Sequence, residues 1–203
     1  LQLWYISRFR ERTFNDNNGH PSSGLNVTTS LYERSEGKES DDIAARFSTF
    51  SGDWDFAISS FKGTAREPLM TPNQDNSALT ATYMLQETIG FEAQFTGDPT
   101  LLKWESLHGT QSGAGFDAAV AGLEYTLYGT FGQVWDLGLI AEGQYDTRPQ
   151  AAAERFYSAG LRLVLNDVKD TNFLALISQD QKQEQSLIAF EASRRLNDWS
   201  SLE

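Results

Sequence analysis

An all-β chain, folded as an antiparallel up-and-down transmembrane β-barrel of ten to eleven visible strands, is the fold class that three features of this sequence predict. Apolar and polar residues alternate with period two in one segment after another, the mark of strands whose successive side chains point to opposite faces. The connections between segments alternate in character, short then long. The charged residues inside the segments share one parity, the polar one.

The elements follow in order. Residues 1–10 set Leu1, Leu3, Tyr5 and Phe9 against Gln2, Arg8 and Arg10, with Trp4 and Ile6 breaking the polar side. Residues 11–41 are polar and loop-like, around NDNNGHPSSG and SEGKESDD. Within them LNVTTSLYER (25–34) reads as a short segment inside a long connection, not a spanning strand. Residues 43–50 alternate again, and Ser51-Gly52-Asp53 is a tight turn. Trp54, Phe56 and Ile58 then oppose Asp55, Ala57 and Ser59. Residues 63–85, with Pro68 and Pro72 among Asn, Asp and Thr, read as a long loop. Ile89, Phe91, Ala93 and Phe95 oppose Glu92 and Gln94. A GDP turn at 97–99 leads to Leu102 and Trp104 against Lys103 and Glu105.

The clearest hairpin runs over 116–145. Ala119, Ala121, Leu123, Tyr125 and Leu127 interleave with Gly122, Glu124, Thr126 and Tyr128. Beyond a turn carrying Gly129 and Gly132, Trp135, Leu137, Leu139, Ala141 and Tyr145 interleave with Asp136, Glu142 and Gln144. A helix needs apolar spacings of three and four, which this stretch lacks. Its strands exceed the five or six residues usual in soluble sheets and match the ~9–11 that cross a bilayer at a tilt. After a loop at 146–154, Tyr157, Ala159, Leu161, Leu163 and Leu165 oppose Ser158, Arg162 and Asn166. The strand at 171–179 has an ambiguous face, since Leu174 and Leu176 compete with Phe173, Ala175 and Ile177. Ile188, Phe190 and Ala192 oppose Glu191 and Ser193, and a last strand starts at Trp199. Both ends read as cut, so the expectation is a single barrel domain over 1–203, truncated at each end.

From residue 51 onward SGD, GDP, FGQV, NDVKD and LND are short. Between them stand 63–85, 109–115, 146–154 and 180–184, mostly longer and more polar. Outer-membrane barrels have short periplasmic turns and longer outer loops. By that rule 11–41 and 63–85 are long outer loops, which fold inward to narrow a passage or stay disordered. Aromatic residues near strand ends (Trp54, Trp135, Tyr145, Phe156, Tyr157, Trp199) fit interfacial girdles. The competing reading is a soluble antiparallel sheet with one face on a core, and alternation alone does not separate the two.

The formal net charge of −12 over 203 residues excludes a nucleic-acid surface, which would be basic. Without cysteine there is no disulfide or thiolate metal site. No apolar run is long enough for a transmembrane helix. The mean hydropathy is that of a soluble chain, as it also is for a barrel whose strands face a polar lumen on one side.

Several stretches resemble one family. Arg8-Phe9-Arg10-Glu11-Arg12-Thr13-Phe14, SGDWDFAISSFKGTAREP (51–68), GLEYTLYGTFGQVWDLGLIAEGQYDTR (122–148), GLRLVLNDVKDT (160–171) and EASRRLNDWSSLE (191–203) together resemble predicted porin-like outer-membrane β-barrel proteins of Gram-negative bacteria. The hairpin matches best and 15–40 poorly. The resemblance implies a fold and a place in the bacterial outer membrane. It implies longer members, with a signal peptide and further strands. It brings no catalytic or ligand residues.

The candidate functional residues are therefore the charges expected to line a lumen: Arg8, Arg10, Arg46, Asp55, Glu92, Lys103, Glu105, Glu124, Asp136, Glu142, Arg162 and Glu191. Arg8, Arg10 and Arg12 form a row that either guides anions or neutralises neighbouring carboxylates. Glu92, Glu105, Glu124, Asp136 and Glu142 form an acidic wall favouring cations, or an ion-paired interior. Metal binding would need several oxygens converging at one depth. No calcium-loop motif or histidine pair is present, and His20 lies alone in a loop, so neither metal nor cofactor is expected. GxGxxG, P-loop, HExxH and GxSxG motifs are missing. Ser106 and His108, two apart on the apolar wall, offer the one nucleophile and base, for a lipid hydrolase without an identified third group. The expectation is a non-enzymatic, porin-like channel or export-associated barrel that passes a small polar or amphipathic solute. Its partners are outer-membrane lipid, the unknown solute and an envelope protein. The alternatives are a non-conducting adaptor barrel, an outer-membrane lipid hydrolase and a soluble β-protein.

Overall fold

A computed structural model describes residues 1–16, 24–151, 153–182, 184–197 and 200–202. Eleven strands form one sheet, and each pairs antiparallel with its neighbours. In chain order they are β1 (Gln2–Ile6), β3 (Asp42–Ser51), β4 (Trp54–Thr64), β7 (Leu85–Gly97), β8 (Thr100–Gln111), β9 (Ala114–Thr130), β10 (Trp135–Asp146), β11 (Arg155–Val164), β12 (Asn172–Asp180), β13 (Ser186–Asn197) and β14 (Ser200–Leu202). Their order across the sheet is their order along the chain, so the up-and-down connectivity read from the alternation is present. The barrel is not closed: β1 and β14 are free edges.

The register places the apolar parity of every strand on one face. Phe47 lies opposite Ile58, and Ile58 opposite Phe91. Leu102 lies opposite Leu123, Leu123 opposite Ala141, and Ala141 opposite Ala159. Ala159 faces Ile177, which faces Ile188. The ambiguous strand is thereby settled: Phe173, Ala175 and Ile177 join the apolar face, and Leu174 stands between Arg162 and Glu191 on the other.

The lateral row also climbs. It starts at Trp54, the first residue of β4, and continues through Phe95, Leu102, Leu123, Ala141, Ala159 and Ile177. It ends at Ile188, near the opposite end, beside the start of β13. Such a stagger is the shear of strands tilted to a common axis.

The exposure of the two faces is reversed relative to a soluble sheet. In β12 the apolar-face Ile177 is 53% exposed while Ser178 beside it is 8% exposed. In β9 Leu123 and Tyr125 are exposed at 41% and 40%, and Glu124 between them is half-buried. No layer of the described chain covers the apolar side. Side chains on the inside of a curved sheet shield one another, and those on the outside splay apart. The polar face is therefore the concave one.

Several boundaries differ from the sequence reading. The strand expected over 1–10 stops at Ile6, because Phe9 turns away to a separate core. The expected connection at 109–115 is a tight turn between β8 and β9. Ser112 and Gly113 both take positive φ, 48° and 76°, the requirement of a two-residue hairpin loop whose twist matches its strands. Alternation of connection length is thus weaker than the sequence suggested. Residues 63–85 are not structureless: they contain β5 (Leu69–Pro72) and β6 (Leu79–Tyr83). These join β2 (Val27–Tyr32), the short segment inside the first long connection, in a second sheet of order β2-β6-β5. The pairing of β2 with β6 is parallel. His20 and Trp199 lie outside the described residues.

Candidate functional site

The site is the concave polar face with the small sheet at its long-connection end. Placement of the candidate residues follows from parity and register. Arg46, Asp55, Glu92, Lys103, Glu105, Glu124, Asp136, Glu142, Arg162 and Glu191 all stand on the polar side of their strands. Arg8 and Arg10 do not, because β1 has ended before them. Arg8 instead pairs with Glu39 at 2.8 Å and Arg12 with Glu67 at 3.2 Å, both in exposed connections. Two members of the arginine row thus form local ion pairs at the rim, and Arg10 has no ion-pair partner among the described residues.

Two ion pairs on the face skip a strand. The Arg46 guanidinium, on β3, donates to both Glu92 carboxylate oxygens on β7, with Nε 3.2 Å from Oε1. It crosses β4 above Ala57, which is 5% exposed. Arg162 Nη1, on β11, donates to Glu124 Oε1 at 2.9 Å, on β9. It crosses β10 above Gly138, where an added Cβ would stand 3.0 Å from Glu124 Oε1 and 3.4 Å from Arg162 Cβ. Small residues on the intervening strand open the gap that each pair bridges.

A third gap of this form is not bridged. Gly122 on β9 lies opposite Lys103 on β8 and Glu142 on β10. Glu142 Oε2 approaches to 3.8 Å of where a Gly122 Cβ would be, yet no ion pair forms with Lys103 among the described residues. Glu105 lies directly opposite Glu92. Asp136 accepts hydrogen bonds from Asn166 Nδ2 (2.8 Å) and Gly129 N–H (3.3 Å), tying adjacent turns together. Asp55, Glu105, Glu142 and Glu191 have no ion-pair partner among the described residues. A recess of about 470 Å³ lies here, lined by Arg46, Asp55, Glu92, Gln94, Lys103 and Glu105 among others. On the polar face, then, Glu92 and Glu124 are neutralised and the neighbouring carboxylates are not.

The long connections build a cap with its own core of Phe9, Ala81 and Tyr83, packed by Val27, Tyr32 and Met70. Phe9 meets Tyr83 edge-on at 4.8 Å between ring centroids, and Tyr32 stacks on Tyr83 at 5.5 Å. The Arg66 guanidinium lies 4.9 Å from the centre of the Phe9 ring. Asp42, at the head of β3 and 0% exposed, joins this cap to the main sheet. Its carboxylate accepts the Thr64 N–H (2.9 Å) and Arg66 Nη2 (2.7 Å) and lies 3.7 Å from Arg34 Nη1. It folds across Gly63, where any Cβ would collide with it.

The Glu11 carboxylate accepts the Tyr32 hydroxyl and pairs with Lys38 Nζ at 2.9 Å. The bond from Tyr32, then that from Lys38, holds Glu11 below the usual carboxylate range. Burial, then the contact with Glu11, pushes Tyr32 up. None of these cap residues was singled out from the sequence. The signal available was the short alternation of LTATY at 79–83 inside a stretch dominated by loop residues.

On the apolar side, His108 Nδ1 meets Asp117 Oδ1 at 2.7 Å across the β8–β9 pair. Ser106 Oγ accepts the Trp104 indole N–H at 3.3 Å and makes no hydrogen bond to His108. The histidine thus has an orienting carboxylate, but serine and histidine are not joined as nucleophile and base. Comparison with family models, with curated proteins and with solved structures finds no match for this chain.

Proposed function

We propose that this sheet is the wall of a β-barrel in the bacterial outer membrane, and that its concave polar face lines a passage for a small polar or amphipathic solute. Lipid is the partner of the convex face. The solute diffuses past fixed charges, with no covalent step, and the cap narrows one end. The observation that carries this reading is the reversed exposure: Leu, Ile, Phe, Tyr and Trp side chains from β1 to β13 stand uncovered on one continuous face. Soluble monomers rarely expose contiguous apolar patches beyond a few hundred Å². Bilayer hydrocarbon removes that penalty, and it makes a lipid-facing Arg or Lys at midplane cost ~2–4 kcal/mol. Confinement of the strand charges near the middle of the wall to the concave face follows. The lateral stagger and the family resemblance of the hairpin support the same reading. It requires the edges of β1 and β14 to be paired in the membrane, since a spanning sheet leaves no open edge in hydrocarbon.

The test is reconstitution. Protein refolded into detergent and added to a planar lipid bilayer should give discrete conductance steps. A monodisperse, detergent-free monomer would remove the membrane from the account. A membrane-inserted but silent protein would favour the second reading, a structural or adaptor barrel that binds an envelope partner through its loops. The packed aromatic core of the cap is the observation favouring that alternative, because it makes the two connections a shaped surface.

A further inference from the structure

We infer that the passage selects cations, and that Glu105 and Glu142 set the preference while Lys103 opposes it. This rests on the passage proposed above. The inference comes from which charges on the concave face cancel. Arg46 is consumed by Glu92 and Arg162 by Glu124, each through a strand-skipping pair. At the long-connection end Arg148 is held locally by Asp146, two residues before it, with 2.5 Å between Nη2 and Oδ2. At the short-turn end Arg195 is paired with Asp170. In the cap, Asp42 occupies Arg66 and faces Arg34. Each of these arginines is thereby neutralised by a carboxylate.

What remains without a cationic partner among the described residues is Asp55, Glu105, Asp136, Glu142 and Glu191 against Lys103. One lateral row concentrates this imbalance. Asp55, Gln94, Lys103, Gly122 and Glu142 follow one another across five adjacent strands. Lys103 sits between two carboxylates, each two strands away and bonded to neither. In the next row Glu105 abuts Glu92, whose charge Arg46 already satisfies. Fixed charge on a confining low-dielectric wall raises the local concentration of counter-ions and excludes co-ions, as rings of Asp and Glu do in cation channels. The species favoured are small cations, inorganic or amine, and the species excluded are carboxylates and phosphates.

The experiment is the reversal potential of the reconstituted full-length protein in a planar bilayer under an about tenfold KCl gradient. The wild type should pass potassium several-fold better than chloride. The double variant Glu105→Gln/Glu142→Gln should bring that ratio toward one, and Lys103→Gln should raise it. Raising ionic strength should weaken the preference. Heat-modifiable gel migration of each variant confirms that it has folded. A wild-type ratio at or below one overturns the inference, as does a ratio indifferent to all three substitutions, and in either case conductance itself leaves the passage standing. Absence of conductance in the folded wild type overturns both.

Discussion

Glu11 shows how one side chain senses its surroundings. It accepts the Tyr32 hydroxyl and the Lys38 ammonium, and both favour its ionised form, so its folded pKa lies below its unfolded value. The stability it contributes is therefore complete above the unfolded carboxylate value of ~4.3 and is lost as pH falls through the folded value. Acidification below about pH 4 should loosen the cap before the main sheet. Tyrosine fluorescence should change while the far-ultraviolet strand signal persists, and Glu11→Gln should remove the acid-dependent step. Loss of the two signals together would mean that Glu11 is not the group responsible. In the sequence, Glu11 was one charge in an arginine-rich run. Its partner Tyr32 sits in a segment read as part of a loop, and parity says nothing about contacts between two loops.

At the scale of single strands, β10 makes the sharpest case. Leu139 and Ile140 are adjacent, similar in size and equally apolar. The register sends Leu139 to the face shared with Tyr125 and Leu161, and Ile140 to the face shared with Glu124 and Gly160. Leu139→Arg should therefore cut the yield of folding into lipid vesicles, with a cost of ~2–4 kcal/mol at midplane depth. Ile140→Arg should fold nearly as the wild type does. Equal effects of the two would mean that no lipid contacts the convex face.

Parity made this face legible in advance, because a strand side chain's direction is set by backbone geometry alone. The same reasoning failed for residues 7–10. There the alternation of Arg8, Phe9 and Arg10 continued after the strand had stopped, since Phe9 is drawn into the aromatic core of the cap. It was also silent about Ala57 and Gly138. Only the lateral register shows these small residues beneath strand-skipping ion pairs, and register is a relation between strands.

For the molecule as a whole, Asp42 joins two bodies, the large sheet and the small one. Its replacement by alanine leaves the Thr64 N–H and the Arg66 guanidinium without their shared acceptor. Arg66 is partly hydrated already, so the loss is set at about 2–3 kcal/mol, at the lower end for a broken buried pair. The expected outcome is a cap open to proteases within residues 66–83, with β7 to β13 still protected. Unchanged proteolysis would show that the aromatic core alone holds the cap. The general architecture was readable because a meander repeats one local rule in every strand. The cap was not, because it brings together two connections far apart in sequence.

The parallel pairing of β2 with β6 gives the chain a clock. From β7 to β14 every pairing of the large sheet joins neighbours in sequence and can close as soon as both strands exist. By contrast, β2 must wait while β3, β4 and β5 are made and folded, because its partner is the last strand of the second connection. Contacts of large sequence separation form late, after their loop entropy has been overcome. Closure of the cap thus comes later than the β3–β4 and β5–β6 hairpins, and the aromatic residues of its core spend the preceding interval exposed. A chaperone that holds unfolded chains by their aromatic residues would have a long opportunity on Phe9, Tyr32 and Tyr83, and release would coincide with closure of the lid they form.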